Sequence, residues 1–315
     1  MRFHAILNRD SGTLRTLDLD RFVENMHATL TAAGHRLDAR IIEGSEVGDE
    51  LERAVKSRSV DVILIGGGDG TISSAAAAVS DTDKILAVLP AGTMNLFARS
   101  LGVPLDLAQA VSAFATGEAR QVDVATANGQ IFVHQYSVGL HAKLVKARDG
   151  MSFGSKVGKI WASIRAASSA LLNPPSMKVE LSLDDAEAVL VRTAGIGITN
   201  NMFGEGHLPY ADDPAGGVLG IYVASPGSRW EIFKLAANVM MGRWERNPHI
   251  EVRQARKVRV RYMRLRTRHR CVIDGELSKI ERDVTLEIRP QVLRVLTPSQ
   301  PVDGTVSLTE SAASR

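Results

Sequence analysis

The chain has 315 residues, enough for one large domain or two ordinary ones, and its 44% hydrophobic and 23% charged residues are typical of a folded, water-soluble protein. Lys and Arg outnumber Asp and Glu by only 38 to 35, so the overall charge gives no reason to expect a nucleic acid partner. The single cysteine, Cys271, excludes a disulfide framework. The N-terminal apolar run is too short for a signal peptide and no segment could span a bilayer, which predicts a cytoplasmic protein.

The first hundred residues alternate short apolar runs with amphipathic segments. The runs predict strands at residues 2–7, 36–42, 60–65 and 84–90. Helical spacing predicts helices at 18–34, 47–57, 72–79 and 93–102. This alternation favours a parallel sheet covered by helices.

After about residue 120 the pattern changes to β-type runs. Asn128 and Gly129 form a strong hairpin signal, and further strand-like runs follow at 177–185, 188–200, 217–225, 249–263, 269–276 and 283–290. We therefore predict two domains. An α/β N-terminal domain with a parallel sheet covers residues 1–120 and is completed by about 291–315, and a β-rich antiparallel sandwich covers 121–290.

A glycine loop, GGGDGT, follows the third predicted strand at residues 66–71. Backbone N–H groups without side chains can approach an anion closely, and the N-terminus of the next helix favours negative charge. Gly67, Gly68, Gly70 and Thr71 are therefore candidate phosphate-binding residues. Asp69 would repel a phosphate but suits Mg²⁺ or the water shell of a phosphate-bound Mg²⁺. The alternative is a tight turn that happens to contain an aspartate.

Two more polar loops follow predicted strands of the same sheet. NRDSG (8–12) supplies Asn8 and Ser11, and PAGTMN (90–95) supplies Gly92, Thr93 and Asn95. Neighbouring parallel strands deliver such loops to one edge, where α/β folds bind ligands. Three loops there would form an anion site the size of a nucleotide. The glycine pattern is neither a P-loop nor a dinucleotide-binding fingerprint.

GGDGT, the segment PAGTMNLFARSLGVP (90–104) and a late DGE (274–276) together resemble the diacylglycerol kinase catalytic family, which includes bacterial lipid kinases and sphingosine kinases. The resemblance extends from Arg2 to about Thr297. It implies transfer of phosphate from ATP, with Mg²⁺, to a lipid hydroxyl, with ATP on the α/β domain and lipid on the β-rich domain.

The same resemblance assigns the general base to Glu276, with Asp274 assisting it or holding the metal shell. Asp69 is a rival base. For the DGE motif the alternative reading is an ordinary Asp-Gly hairpin turn between two strands.

The chain departs from the family pattern at several positions. Arg9 replaces a proline in the first loop, and Ser74 replaces a glutamate that often follows GGDGT. Gly216 stands where bacterial members have an aspartate in a region that can hold a structural Mg²⁺. That second metal site is in doubt, although Asp212 and Asp213 could substitute.

One segment suggests peripheral contact with an anionic membrane surface, on the inner face of the membrane, and a second suggests an anionic partner. Residues 151–172 predict an amphipathic helix that carries Lys and Arg beside Trp and Leu, and residues 251–270 form a basic strip. The alternatives are a helix that covers a sheet and a strand face whose cations are solvated.

Two rival functions remain open. The first is a soluble kinase of the NAD kinase type, which the segment 90–104 argues against, and the second is a lipid-binding protein without turnover. Retention of Asp69, Thr71, Asn95 and Glu276 favours catalysis. We expect a lipid substrate and no nucleic acid partner.

Overall fold

A computed structural model of the chain describes residues 1–149, 176–225, 247–265 and 269–299, together with residues 228, 230, 231, 234 and 238. The amphipathic helix predicted over 151–172 therefore lies outside the described residues. Among the residues that are described, none belongs to a helix long and apolar enough to cross a membrane.

The N-terminal domain contains a parallel sheet with the strand order β2-β1-β3-β4. Its strands are β1 (Arg2–Asn8), β2 (Arg36–Ile42), β3 (Val62–Gly67) and β4 (Ile85–Pro90). Its helices are α1 (Leu19–Ala32), α2 (Val47–Lys56), α3 (Asp69–Val79), α4 (Leu96–Ser100) and α5 (Leu107–Ala115). Every residue of β3 and of β4 is buried, as their unbroken apolar runs predict for central parallel strands.

Three helices of the N-terminal domain differ from the sequence prediction. Helix α3 begins three residues early, at Asp69, so half of the glycine loop lies in its first turn. Helix α4 begins late, at Leu96, because Asn95 has a left-handed backbone with φ of 52°. Helix α5 was not predicted, although Asp106 caps it by accepting a hydrogen bond from the Gln109 N–H at 2.9 Å.

The second part of the chain forms two packed antiparallel layers. One is a six-stranded sheet with the order β12-β11-β10-β7-β14-β15. These strands are β7 (Gln135–Gly139), β10 (Gly195–Asn200), β11 (Leu219–Ala224), β12 (Ile250–Ala255), β14 (Arg270–Ile273) and β15 (Glu276–Lys279). Helix α6 (Leu140–Asp149) follows β7.

The other layer contains β5 (Glu118–Ala127), β6 (Gln130–Phe132), β8 (Met177–Leu183), β9 (Val189–Thr193), β13 (Lys257–Tyr262) and β16 (Asp283–Thr297). Val179 and Val258 from this layer share a buried cluster with Ile196 and Ile221 from the six-stranded sheet. The predicted fold class, an α/β N-terminal domain followed by an antiparallel β sandwich, is confirmed.

Two long strands join the domains. The first half of β16 pairs with β13 and carries Leu286 into the second core, whereas its last residues carry Val295 into the first core beside β4. Strand β5 pairs with β16 along both halves, across a bulge between Arg289 and Leu293. The parallel sheet and one sandwich layer are therefore a single ten-stranded sheet.

A buried aspartate holds the bulge in β16. Asp123 on β5 is fully buried, and its carboxylate accepts hydrogen bonds from the backbone N–H groups of Gln291 (2.9 Å) and Gly217 (2.7 Å). Gln291 has a left-handed φ of 56°, so its N–H leaves the regular ladder and needs another acceptor. Asp123 supplies that acceptor at the junction of the two domains.

The basic strip lies largely on strands β12 and β13, where carboxylates accompany its cations. Lys257 lies 3.3 Å from Asp185, Arg259 lies 2.9 Å from Asp283, and Arg261 lies 3.7 Å from Glu180. These pairs are exposed, so they contribute little to stability. Each pair places a carboxylate beside one cation of the strip.

Candidate functional site

The NRDSG loop (8–12) and the glycine loop (66–71) meet at the carboxyl edge of the parallel sheet. Ser11 Oγ accepts a hydrogen bond from the backbone N–H of Gly68 at 3.2 Å, and Asn8 Nδ2 donates to Thr71 Oγ1 at 3.3 Å. Asn8 ends β1 and is buried, whereas the glycine loop follows the neighbouring strand β3. The adjacency of these parallel strands therefore brings the loops together as predicted from their order in the chain.

The PAGTMN loop (90–95) packs against the glycine loop. Asn95 Oδ1 accepts the N–H of Gly92 at 2.8 Å, while its Nδ2 donates to the carbonyls of Gly92 (3.0 Å) and Pro90 (3.2 Å). A Cβ on Gly92 would lie only 3.1 Å from the Cα of Gly68, so the backbones approach too closely for a side chain. Thr93 lies exposed in this loop.

Asp69 is the first residue of α3 and is half-buried beside both loops. Burial raises the pKa of its carboxyl group, while hydrogen bonds from the backbone N–H groups of Leu96 and of Asp69 itself oppose the shift. Among the described residues no group of three or more His, Cys, Asp or Glu could hold a metal ion. A lone carboxylate next to an anion site still fits Mg²⁺, which usually binds one or two carboxylates, substrate phosphates and water.

Asp274 lies in the two-residue turn between β14 and β15. It has a φ of 46° and Gly275 a φ of 86°, as the mirror-image turns of tight hairpins require. The DGE motif is therefore a hairpin turn, as the alternative reading held. The side chain of Asp274 nevertheless enters the contact between the domains and is only 4% exposed.

Both carboxylate oxygens of Asp274 are occupied. One accepts from the backbone N–H groups of His134 and Gln135 at 2.9 and 3.0 Å, and the other accepts from the Val133 N–H at 2.9 Å and from Ser73 Oγ at 2.7 Å. Burial raises the pKa of Asp274, and the four hydrogen bonds oppose that shift. Ser73 belongs to α3, so this carboxylate ties the turn of the second domain to the helix of the first.

Glu276 is exposed and its carboxylate lies against Gly70. A Cβ on Gly70 would overlap the carboxylate, so only glycine leaves room for the side chain in this position. Gly70 lies in the first turn of α3, one residue after Asp69. An acidic group of the second domain therefore lies directly on the N-terminal end of a helix in the first.

A cleft of about 360 Å³ lies beside this contact. One wall is α3 and the other is formed by the hairpins β5–β6 and β14–β15. Its lining residues are Gly70, Ser73, Ser74, Ala77, Gly129, Gln130, Ile131, Ile273, Asp274, Glu276 and Ser278.

Comparison with known families accounts for both domains in this order. The diacylglycerol kinase catalytic domain matches residues 2–127, and the YegS C-terminal NAD kinase beta sandwich-like domain matches residues 136–297. The second match alone covers more than half of the chain. The chain belongs to the diacylglycerol kinase catalytic family. The predicted resemblance is thereby confirmed, and the chain is a member of a kinase family.

Two bacterial proteins are similar to this chain in sequence. A Staphylococcus aureus protein named "Putative lipid kinase SAS0691" is 26% identical over 79% of this chain and 81% of its own length. An uncharacterized protein of Synechocystis sp. is 28% identical over 59% of this chain. The matched region spans only 43% of that longer protein.

Solved structures of Bacillus anthracis str. Sterne proteins share the fold. One is described as a "putative diacylglycerol kinase" and has a TM-score of 0.73 at 21% identity, covering 93% of this chain and 94% of its own. Another, described as a diacylglycerol kinase, has a TM-score of 0.70 at 20% identity, covering 93% and 96%.

The region around Gly216 differs from the family pattern noted in the sequence. Asp212 Oδ1 accepts a hydrogen bond from His207 Nε2 at 2.8 Å, and Asp213 Oδ1 accepts one from the N–H of Ala215 at 2.9 Å. Asn201 Oδ1 is 3.1 Å from the position that a Cβ on Gly216 would take. Both nearby aspartates thus make local hydrogen bonds.

One residue of this site was missed from the sequence. Ser73 donates to Asp274, but serine is common on helices and nothing in its neighbourhood distinguishes it. Its only signal was its position, three residues after Gly70 and therefore on the same face of α3.

Proposed function

We propose that the protein is an ATP-dependent lipid kinase that transfers the γ-phosphate to a hydroxyl of a diacylglycerol-like lipid. The position of Glu276 carries the proposal. Its carboxylate comes from the second domain and lies on Gly70, at the N-terminus of α3. Phosphoryl transfer needs an anion site and a proton acceptor next to each other, and this contact combines them.

The three loops bind the nucleotide. Gly67, Gly68, Gly70 and Gly92 carry no side chains, so the phosphates can approach the backbone closely, and α3 contributes the favourable end of its dipole. Ser11 and Asn8 hold the glycine loop against β1, while Asn95 keeps the third loop closed. Thr71 and Thr93 supply hydroxyl groups at the rim of this site.

Asp69 would hold Mg²⁺ together with the phosphates, and the ion would neutralise charge on the transferred group. The protein's own part is to keep that carboxylate in place through the Leu96 N–H.

Glu276 acts as the general base. The lipid hydroxyl oxygen forms a bond to the γ-phosphorus as the bond to the β–γ bridging oxygen breaks, the hydroxyl proton passes to the Glu276 carboxylate, and ADP leaves. Asp274 is a positioning residue, because its four hydrogen bonds leave neither oxygen available for an incoming proton. Residues 1–120 with the end of β16 hold the nucleotide, and residues 121–290 contribute the lipid side.

The direct test is transfer of labelled γ-phosphate from Mg·ATP to mixed-micelle lipids, with NAD as the soluble acceptor. Label in a lipid supports the proposal, whereas label in NAD alone assigns the protein to the NAD kinase type. ATP binding without label in any acceptor would favour the lipid-binding protein without turnover.

Two variants locate the base. Glu276→Ala should lower turnover about 10²-fold or more while ATP affinity is retained, since a general base contributes about 10²–10⁴-fold. Asp69→Ala should instead weaken binding of Mg·ATP. Glu24→Ala, at an exposed carboxylate on α1, is the matched control and should be active. If Asp69→Ala abolishes turnover with normal Mg·ATP affinity and Glu276→Ala is active, Asp69 is the base.

We propose further that the protein works in the cytoplasm and touches the inner membrane surface peripherally. Its lipid acceptor lies in a bilayer, and helices of the described part are too short or too polar to cross one. Flotation with liposomes should recover the protein in the lipid fraction, more strongly with anionic lipid than with neutral lipid. Absence from every lipid fraction would refute the contact.

A further inference from the structure

Strand β12 forms one edge of the six-stranded sheet. Within the described part of the chain it pairs with β11 on one side, and no strand lies on its other side. Its sequence is IEVRQA. The side chains of Glu251 and Arg253 lie two residues apart on the same face of the strand and are 54% and 47% exposed. An unpaired edge of this kind can pair with another strand.

One hydrogen bond shows which backbone groups of β12 point to the free edge. The Ser225 N–H, just beyond β11, donates to the His249 carbonyl at 2.9 Å. Because bonded and non-bonded pairs alternate along an antiparallel ladder, the odd-numbered residues of β12 bond to β11. The N–H and carbonyl groups of Val252 and Gln254, and the carbonyl of Ile250, therefore point to the free edge.

The charges on this edge are complementary to those of a second copy. When two copies of β12 pair antiparallel about a two-fold axis at Val252, Glu251 of each copy lies opposite Arg253 of the other. The two Val252 residues then exchange backbone hydrogen bonds, and each Gln254 N–H meets the Ile250 carbonyl of the other copy. Glu251 and Arg253 occupy the non-hydrogen-bonded positions, where Cα atoms are only about 4.5 Å apart and side chains approach closely.

The neighbouring registers are unfavourable. A shift in either direction that keeps the backbone bonding places Glu251 opposite itself or Arg253 opposite itself, and like charges that lie directly opposite destabilise a pair of strands. A shift by one residue would place side chains from different faces opposite each other, which a two-fold axis does not allow. A single register therefore satisfies charge, backbone bonding and symmetry together.

Apolar surface lies near the same edge. Trp230 is 74% exposed, and the neighbouring Glu231 lies 3.7 Å from His249, the residue that precedes β12. Tryptophan is among the residues that contribute most to protein interfaces. Strand β15, which carries Glu276, is the opposite edge of the sheet, so a partner on β12 leaves the cleft between the domains open.

We propose that the protein forms a symmetric dimer in which β12 pairs with β12 of a second copy. The two six-stranded sheets then become one continuous sheet, with an ion pair between Glu251 and Arg253 on each side of the two-fold axis. In the single chain Arg253 Nε donates to Glu251 Oε1 at 2.6 Å, and in the dimer each side chain turns to the other copy. The inference does not depend on the proposed kinase function.

The first experiment measures the mass of the full chain by sedimentation across a series of concentrations. We expect a dimer of twice the 34.0 kDa chain mass. Glu251→Arg and Arg253→Glu each replace two ion pairs with two like-charge contacts. Each contact should raise the dissociation constant about tenfold, so either variant should raise it about a hundredfold. A parent protein that is monomeric at every concentration would overturn the inference.

The second experiment restores the complementarity. Glu251→Arg mixed with Arg253→Glu should form a mixed dimer, because every basic residue then lies opposite an acidic one. The double variant Glu251→Arg/Arg253→Glu should dimerise as the parent protein does. Glu187→Arg, at an exposed carboxylate just before β9, is the matched control for the change in net charge and should leave the dissociation constant unchanged. Failure of both the mixture and the double variant to recover the dimer would contradict the proposed register.

The third experiment removes a backbone donor. Gln254→Pro deletes an N–H that points to the free edge, where proline is tolerated, so the ladder with β11 is retained. This variant should keep the melting temperature of the parent protein and dimerise more weakly by about tenfold or more, since two bonds across the two-fold axis are lost. A dimer of unchanged affinity in Gln254→Pro and in both single charge variants would place the contact elsewhere and refute the pairing of β12.

Discussion

Replacing Gly70 with alanine should nearly abolish phosphate transfer without destabilising the fold. Gly70 lies in the first turn of α3 without a left-handed φ, so alanine can adopt its backbone conformation. The new Cβ would occupy the place of the Glu276 carboxylate. Glu276 is exposed and its carboxylate ends a flexible side chain, so it can rotate into solvent at little cost.

The substitution should lower turnover and raise the free energy of unfolding. Displacing a general base lowers turnover by about 10²–10⁴-fold. A glycine-to-alanine change at a helical position stabilises a protein by about 0.4–1 kcal/mol, chiefly by reducing the entropy of the unfolded chain. Gly70→Ala should therefore be inactive and at least as stable as the parent protein.

The assay combines transfer of labelled phosphate, ATP affinity and urea unfolding for the same variants. Gly48→Ala is the matched control, because Gly48 lies in α2 and a Cβ there has nothing within 4 Å. It should gain the same stability and keep full activity. In a Glu276→Ala background, Gly70→Ala should cause no further loss, since both changes remove one interaction.

Full activity of Gly70→Ala would refute the reasoning, because Glu276 would then not be needed where the structure places it. A loss that persists in the Glu276→Ala background, with weakened ATP binding, would show that the Cβ acts on the phosphate site instead.

Four further predictions follow from buried polar groups. Asp274→Asn should lower the free energy of unfolding in urea by about 3 kcal/mol, because an amide turns an NH₂ group toward donors that now bond to a carboxylate; an unchanged unfolding midpoint would contradict this. Burial raises the pKa of the Asp69 carboxyl group, so the folded state holds this proton to higher pH than the unfolded state does. The stability of the protein therefore falls as pH rises from about 4 through the folded pKa. Asp69→Asn should remove that pH dependence of the melting temperature and be more stable than the parent protein at neutral pH. Burial lowers the pKa of His134 to about 3, so on acidification the unfolded state takes up a proton before the folded state does. The stability of the protein therefore falls as pH drops below about 6.5. His134→Phe should reduce this pH dependence while its ring still stacks on Phe203, and an equal dependence in both proteins would contradict the prediction. Cys271 is 3% exposed and burial raises the pKa of its thiol, so a chromogenic disulfide reagent should react only after denaturant is added.

Local patterns predicted the four strands and most helices of the first domain, although they missed helix α5. Buried strands β3 and β4 are unbroken apolar runs, and helix α1 repeats its apolar residues at helical spacing, so their types and approximate bounds followed from neighbours in the chain. The boundaries that failed lie at the site. Glycine is a poor helix former, which hid the start of α3, and the left-handed Asn95 delays α4 through its own side-chain hydrogen bonds.

The second domain exposes the limit of local patterns. The predicted run 188–200 is two strands that lie in different sheets, β9 and β10, and the run 249–263 likewise divides into β12 and β13. Alternation of apolar and polar residues reports that one face is buried, but it does not report which sheet the strand joins. Strand β16 is longer than its predicted run, because its second half pairs with β4 and β5, which lie far away in the sequence.

For this protein the sequence by itself determined the family, the fold class and which loops meet at the carboxyl edge of the sheet, because glycine spacing and strand-end position are properties of the chain read locally. Only the tertiary structure decided what the acidic turn does. It placed Asp274 under four hydrogen bonds and Glu276 on Gly70, and it opened a cleft between them and α3. Those contacts join residues about two hundred positions apart, and their distances depend on how the two cores pack across the shared strands β5 and β16.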